Sequence, residues 1–176
     1  MIQLREKGVS DREWLRRARE VRILTAQAGA RFVVNDRPDL ARLAGADAVH
    51  LGQDDLTVRD ARRVVGPKMV VGVSTHDAAQ LDAAVLAGAG YLGVGPVFPS
   101  TTKDFDAYAG LAFVRHAAET TNLPWFAIGG VNEQTLDEAL DAGARRVAVS
   151  AAVVRADRPR AAAEALRAKL DQAWGS

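Results

Sequence analysis

Two aspartates, Asp36 and Asp55, each stand in a loop that follows a short apolar run. With Asn35 beside the first, they make a set of hard oxygen donors of the kind magnesium takes. Arg5 and Lys7 near the N-terminus, and Lys103 farther on, supply positive charge for a polyphosphate that a magnesium ion would also bridge. Lys103 ends the run Ser100-Thr101-Thr102-Lys103, three hydroxyl donors and a mobile cation placed just after Gly95-Pro96-Val97-Phe98-Pro99. Gly129-Gly130 would let a backbone approach a phosphate closely, and Ser150-Ala151-Ala152 could begin a short helix beside it. This set suits two phosphorylated ligands and a metal better than hydrolysis. Plainer readings stand beside it. The aspartates could be caps or Asx turns, the hydroxyl run a proline-stiffened surface loop, and the glycines simple turns.

The three histidines, His50, His76 and His116, do not make a metal constellation. His50 and His76 fall near strand ends and are read as supporting or structural residues, and His116 as a helix-surface residue. No Ser–His–Asp arrangement can be argued from the spacing. Cysteine is absent, which excludes disulfides, thiolate catalysis and thiolate-bound zinc. Lys and Arg number 23 against 22 Asp and Glu, so no basic stripe marks a nucleic-acid binder. The clustered Arg16, Arg17, Arg19 and Arg22 have acidic neighbours and read as a solvated helix face. No run has the length of a membrane span, and the first residues lack the apolar core of a signal peptide. A soluble cytoplasmic protein acting on small molecules is expected.

The elements that must hold these residues alternate. Strands are expected at 2–5, 31–34, 48–51, 69–73, 91–94, 125–128 and 147–149, each bounded by Gly, Pro, Asn, Asp or Ser. Between them lie helical patterns. Ser10-Asp11-Arg12-Glu13 has capping-box form and opens a helix with Trp14, Ala18, Val21 and Thr25 on its inner face. Thr57 caps a helix carrying Val58, Ala61 and Val65. Another centres on Leu81, Ala84 and Val85, and the next carries Leu111, Val114 and Ala118. Asn132 caps a helix with Leu136, Ala139 and Leu140, and the last helix runs from Asp157 to Trp174.

Short apolar strands alternating with helices in 176 residues predict one α/β domain, 1–176, with a parallel sheet. Polar residues follow every strand rather than one switch point. That favours a (β/α)8 TIM barrel over an open doubly wound sheet. Seven strands are read where such a barrel has eight, so the expected form is a barrel lacking its first strand and helix in this chain.

The ordered motifs resemble those of the thiamine phosphate synthase family. They run from Gln3-Leu4-Arg5-Glu6-Lys7 through Asn35-Asp36-Arg37 and His50-Leu51-Gly52-Gln53-Asp54-Asp55 to Gly72-Val73-Ser74. They continue with the segment from Gly95 to Lys103 and Ile128-Gly129-Gly130-Val131. The resemblance implies a barrel that joins a hydroxymethylpyrimidine pyrophosphate to a thiazole phosphate, giving thiamine phosphate and pyrophosphate. By position it implies Mg2+ on Asp36 and Asp55. It implies that Gln3, Leu4, Arg5, Glu6, Lys7, Asn35, Ser74 and Lys103 contact the pyrimidine pyrophosphate, with Lys103, Arg5 and Ser74 catalytic. It implies that Ser100, Thr101, Thr102, Gly130, Val149 and Ser150 contact the thiazole phosphate. Two departures stand out. The family usually has threonine at the position of Ser100, and its barrel begins before the Gln3 segment.

Three rivals remain. A thiazole tautomerase shares the barrel but departs from the aspartate and Ser/Thr–Thr–Lys patterns kept here. An isomerase or decarboxylase with a phosphate-binding barrel would explain Gly130 and Ser150 but not the paired aspartates. A non-catalytic barrel that binds a phosphate ligand would follow from a truly absent first unit.

Overall fold

The computed structural model describes residues 1–99 and 108–175. Ser100, Thr101, Thr102 and Lys103, on which four of the expected contacts fall, lie outside them. Among the described residues seven strands alternate with eight helices, matching the strand count read from the sequence. None of these helices is long and apolar enough to cross a membrane. The chain divides into two compact units, Met1–Ser74 with Ala84–Tyr91, and Thr75–Ala83 with Leu92–Ser176.

In the first unit β1 (Ile2–Leu4), β2 (Phe32–Asn35), β3 (Ala48–Leu51) and β4 (Val70–Thr75) pair in parallel in chain order. Leu4 lies opposite Val34, Asn35 opposite His50, and His50 opposite Gly72. This register sets the C-terminal ends of the strands side by side, so the residues that follow them gather at one edge. Strands β2 and β3 are nearly continuous runs of buried residues, as a sheet covered on both faces requires.

Helix α1 (Asp11–Gln27) begins with one half of the expected capping box: Ser10 Oγ accepts from Glu13 N at 3.3 Å, while the Glu13 carboxylate binds Arg16 and Arg17. It buries Trp14, Ala18 and Thr25, while Val21 is only half-buried. Asp47 Oδ2 accepts both from Arg22 Nη1 at 2.9 Å and from the Phe32 amide at 2.8 Å, tying α1 to the start of β2. Helix α2 (Pro38–Leu43) starts on a proline, and α3 (Val58–Val65) is capped by Thr57.

In the second unit β5 (Tyr91–Val94), β6 (Trp125–Ile128) and β7 (Val147–Ala148) also pair in parallel, from Leu92 onward. Helix α5 (Gly110–Thr120) buries Phe113, Val114 and Ala117. Ala118 is exposed, so the inner face is rotated one residue from the expected one. Helix α6 (Leu136–Asp141) begins four residues after Asn132. The Asn132 side chain instead closes the preceding turn, with Oδ1 accepting from Gln134 N and Thr135 N. After β7 come a one-turn helix, α7 (Ala151–Val154), and α8 (Pro159–Trp174). Val131, Leu136 and Leu166 form a core cluster against which Val147, Val149 and Val153 pack. Helix α4 (Ala78–Leu86) buries Leu81 and Ala84 and leaves Val85 exposed.

Candidate active site

The first unit carries the expected metal residues and, Lys103 apart, the expected pyrophosphate residues. Asp36 follows β2 in a three-residue turn closed by Arg37 N donating to Asn35 O at 2.8 Å. Its φ is +63°, a conformation that costs a non-glycine residue energy but that aspartate tolerates. The Asp36 amide donates to His50 O at 2.8 Å, which fastens the turn to β3. Arg37 then reaches Asp39 at 2.6 Å and Asp11 at 3.1 Å, anchoring the turn to α2 and α1. Hydrogen bonding from Arg37 holds the Asp39 carboxyl below the usual carboxylate range. A residue kept in a sparsely populated backbone conformation by several anchors has the character of a functional site.

Asp55 lies in the loop after the adjacent strand, its Oδ2 accepting the Gly52 amide at 2.7 Å. The two carboxylates therefore follow neighbouring parallel strands at the same end. Among the described residues no cluster of three or more ligating side chains occurs. The donor set nevertheless fits magnesium, which is often held by one or two carboxylates while water and substrate phosphates complete its shell.

Arg5 and Lys7 follow β1 and are exposed, and neither has an ion-pair partner among the described residues. Between them Glu6 turns the other way. Its carboxylate accepts from Arg17 Nη1 at 2.6 Å, and Arg17 also binds Glu13 at 2.8 Å. Glu6 thus fastens the loop to α1 while its two cationic neighbours stay available. Gln3 is exposed and Leu4 half-buried on β1, and Asn35 is half-buried at the end of β2.

Ser74 is half-buried near the end of β4, and two residues hold it. Gln53 Nε2 donates to its carbonyl at 2.5 Å, and His50 Nε2 lies 2.9 Å from its Oγ. The far nitrogen of the same ring, Nδ1, lies 3.0 Å from the Tyr91 hydroxyl. His50 and Tyr91 are 8% and 7% exposed, and burial pushes the Tyr91 phenol well above its ordinary pKa, so it stays protonated. Gly72 makes the room, because a Cβ there would overlap the Tyr91 ring. The supporting role expected for His50 therefore acquires a definite object, Ser74. Tyr91 and Gln53 had no role assigned from sequence. The available signal was a glycine inside the strand Val70-Val71-Gly72-Val73, which marks close approach by a neighbour.

In the second unit Gly130 has φ +67°, and a Cβ on it would overlap the Pro99 carbonyl oxygen. Its own carbonyl accepts from Thr135 Oγ1 at 3.1 Å and Asn132 Nδ2 at 3.2 Å. The Gly130 amide has no acceptor among the described residues. Val97 N donates to Ile128 O and Phe98 N to Gly129 O, at 2.9 and 3.0 Å, so residues 97–99 are laid along the glycine turn. Val149 places its side chain against the apolar cluster, and Ser150 is exposed directly before α7. His76 Nδ1 meets Gly95 O at 2.5 Å at the base of the same connection.

Residues 1–153 match the family model described as thiamine monophosphate synthase. The chain belongs to that family. It is 47% identical to the thiamine-phosphate synthase of Mycobacterium bovis, over 98% of this chain and 83% of that protein. It is 41% identical to the thiamine-phosphate synthase of Nostoc punctiforme, over 98% of this chain but only 49% of that longer protein. The thiamine phosphate pyrophosphorylase from Pyrococcus furiosus superposes with a TM-score of 0.91 at 34% identity, covering 99% of this chain and 84% of the other. The parallel α/β fold is thus that of the thiamine phosphate synthase family, and the chain is a transferase of thiamine biosynthesis.

Proposed function

We propose that the chain condenses a hydroxymethylpyrimidine pyrophosphate with a thiazole phosphate, releasing pyrophosphate and forming thiamine phosphate. The observation that carries the site assignment is the set at the C-terminal strand ends of the first unit. There Asp36, in a turn held through its backbone, and the Asp55 carboxylate, held by the Gly52 amide, accompany two cations, Arg5 and Lys7, that have no ion-pair partner among the described residues. Magnesium, when bound by these aspartates, would neutralise charge building on the pyrophosphate. Arg5 and Lys7 would bind its outer oxygens, Ser74 and Asn35 would donate to it, and Gln3 and Leu4 would line the pyrimidine. Glu6, engaged with Arg17, would contribute through its backbone.

In this reading the bond between the pyrimidine methylene carbon and the pyrophosphate oxygen breaks, and its electron pair leaves with pyrophosphate. The thiazole nitrogen then gives its lone pair to the methylene cation. Lys103 would stabilise the departing charge where it develops, and orientation of the two substrates would supply much of the acceleration. Ser100, Thr101 and Thr102 would hold the thiazole phosphate together with the Gly130 amide, the Val149 backbone and Ser150. Both substrates are small charged molecules, which fits work in the cytoplasm.

Expression of this chain in a bacterial strain that lacks its own thiamine phosphate synthase tests the reading. Growth without thiamine is expected. Failure to grow despite folded, soluble protein, under conditions where the Mycobacterium relative restores growth, would overturn it.

A further inference from the structure

We propose that Tyr91 and His50 are positioning residues that fix the direction of the Ser74 hydroxyl, so that its proton is presented to the pyrophosphate-bearing substrate. The proposal rests on the synthase reading for what Ser74 touches. The relay itself rests on geometry within the first unit.

Three groups form one chain: the Tyr91 hydroxyl 3.0 Å from His50 Nδ1, and His50 Nε2 2.9 Å from Ser74 Oγ. A neutral imidazole has one donor nitrogen and one acceptor nitrogen, so the two hydrogen bonds must point the same way along the chain. In one direction Tyr91 donates to Nδ1, Nε2–H donates to Ser74 Oγ, and the serine proton is left over to donate outward. In the other, Ser74 donates to Nε2 and offers a phosphate oxygen only lone pairs. A phenol is a stronger donor than an alcohol, and of these three groups the imidazole nitrogen is the strongest acceptor. Pairing those two favours the first direction.

Burial maintains it. The Tyr91 phenol stays protonated, and a low-dielectric setting strengthens each bond in the chain. The ring cannot swing aside easily, because it is seated over Gly72, whose strand position is opposite His50. The His50 and Tyr91 rings lie 5.4 Å apart with planes tilted by 34°. Gln53 Nε2 holds the Ser74 carbonyl at 2.5 Å. The serine is therefore oriented through its hydroxyl and its carbonyl independently.

The test uses the whole chain. Nitrogen NMR of 15N-histidine protein above about pH 8, where imidazole is neutral, reads the tautomer directly. His50 is expected with its proton on Nε2, and Tyr91→Phe is expected to shift population toward Nδ1–H. In turnover, Tyr91→Phe is expected to lower kcat/KM for the pyrimidine pyrophosphate about tenfold, roughly the loss of one oriented hydrogen bond, with the KM for thiazole phosphate unchanged. In a Ser74→Ala background the same change should cost nothing further, and His50→Gln, which keeps an N–H donor near the Nε2 position, should outperform His50→Ala. A wild-type protein with its proton on Nδ1, or losses from Tyr91→Phe and Ser74→Ala that multiply, would overturn the proposal. The NMR result needs neither turnover nor a variant, so it decides the relay even if a substitution prevents folding. It also keeps a failed relay distinct from a failed synthase reading, which shows as absent turnover in the wild type.

Discussion

The Gly52 amide donates to Asp55 Oδ2 over 2.7 Å, so the loop after β3 closes on the carboxylate it carries. The carboxylate is thereby aimed before any ligand arrives. Two substitutions separate charge from aim. Asp55→Asn keeps an acceptor for Gly52 but loses the charge; Asp55→Glu keeps the charge but moves it by one methylene. Turnover measured against magnesium concentration should fall on the order of 100-fold for Asn and about tenfold for Glu, with more magnesium needed in both. Equal activity across the series would remove Asp55 from the metal site.

Gly130 and Gly29 have nearly the same backbone angle, φ +67° and +61°, but only Gly130 is crowded. A Cβ on Gly130 would lie 2.7 Å from Phe98 Cβ and overlap Pro99 O, whereas one on Gly29 meets nothing within 4 Å. Gly29→Ala should cost about 1 kcal/mol from backbone strain alone. Gly130→Ala should cost about 2–4 kcal/mol, since overpacking adds to strain. Urea unfolding midpoints compare the two. A Gly130→Ala protein as stable as Gly29→Ala would mean residues 97–99 do not rest on the glycine turn.

Much of this was legible in the sequence because the signals are local. Strand runs bounded by turn residues and the Ser10 cap depend on near neighbours, and both reappear among the described residues. Non-local features were not legible. Nothing in the spacing of Asp36 shows a turn with φ +63°, since that conformation is imposed by His50 O and by Arg37 reaching Asp11 and Asp39. The face of α5 shifts by one residue because packing of Phe113 and Ala117 overrides the periodic pattern that included Ala118. Asn132 has cap chemistry, but it closes the turn ahead of α6 rather than the helix. Tyr91 was hidden because its partners, His50 and Gly72, are distant in the chain.

Asp47 accepts from the buried start of β2 and from α1 with a single oxygen, Oδ2. Asp47→Ala would leave the Phe32 amide without that acceptor, a loss of about 1–3 kcal/mol. Chemical denaturation should show the full drop for Asp47→Ala and a smaller one for Asp47→Asn, which retains an acceptor. Loss of the Arg22 contact alone, in Arg22→Ala, should cost less than about 1 kcal/mol because that pair is partly exposed.

Glu13 provides a pH test. Hydrogen bonds from Arg16 and then Arg17 lower its pKa from 4.5 to about 2. A carboxyl whose folded pKa is depressed contributes stability above its unfolded pKa and loses it as pH falls through the folded one. The contribution should therefore be intact at neutral pH and disappear between about pH 4.5 and 2. Stability measured across that range should fall less steeply in Glu13→Gln than in wild type, and added salt should shrink the difference because the site is solvent-exposed. Identical slopes would show that the Glu13–Arg16–Arg17 network does not stabilise α1.

The most direct test of the central claim is the stoichiometry of turnover in the purified chain. Hydroxymethylpyrimidine pyrophosphate and thiazole phosphate are supplied together and singly, with magnesium and with a chelator, while both products are quantified. Thiamine phosphate and pyrophosphate should appear in equal amounts, only when both substrates and magnesium are present. Pyrophosphate release without thiamine phosphate, or no reaction of folded protein under any of these conditions, would contradict the account.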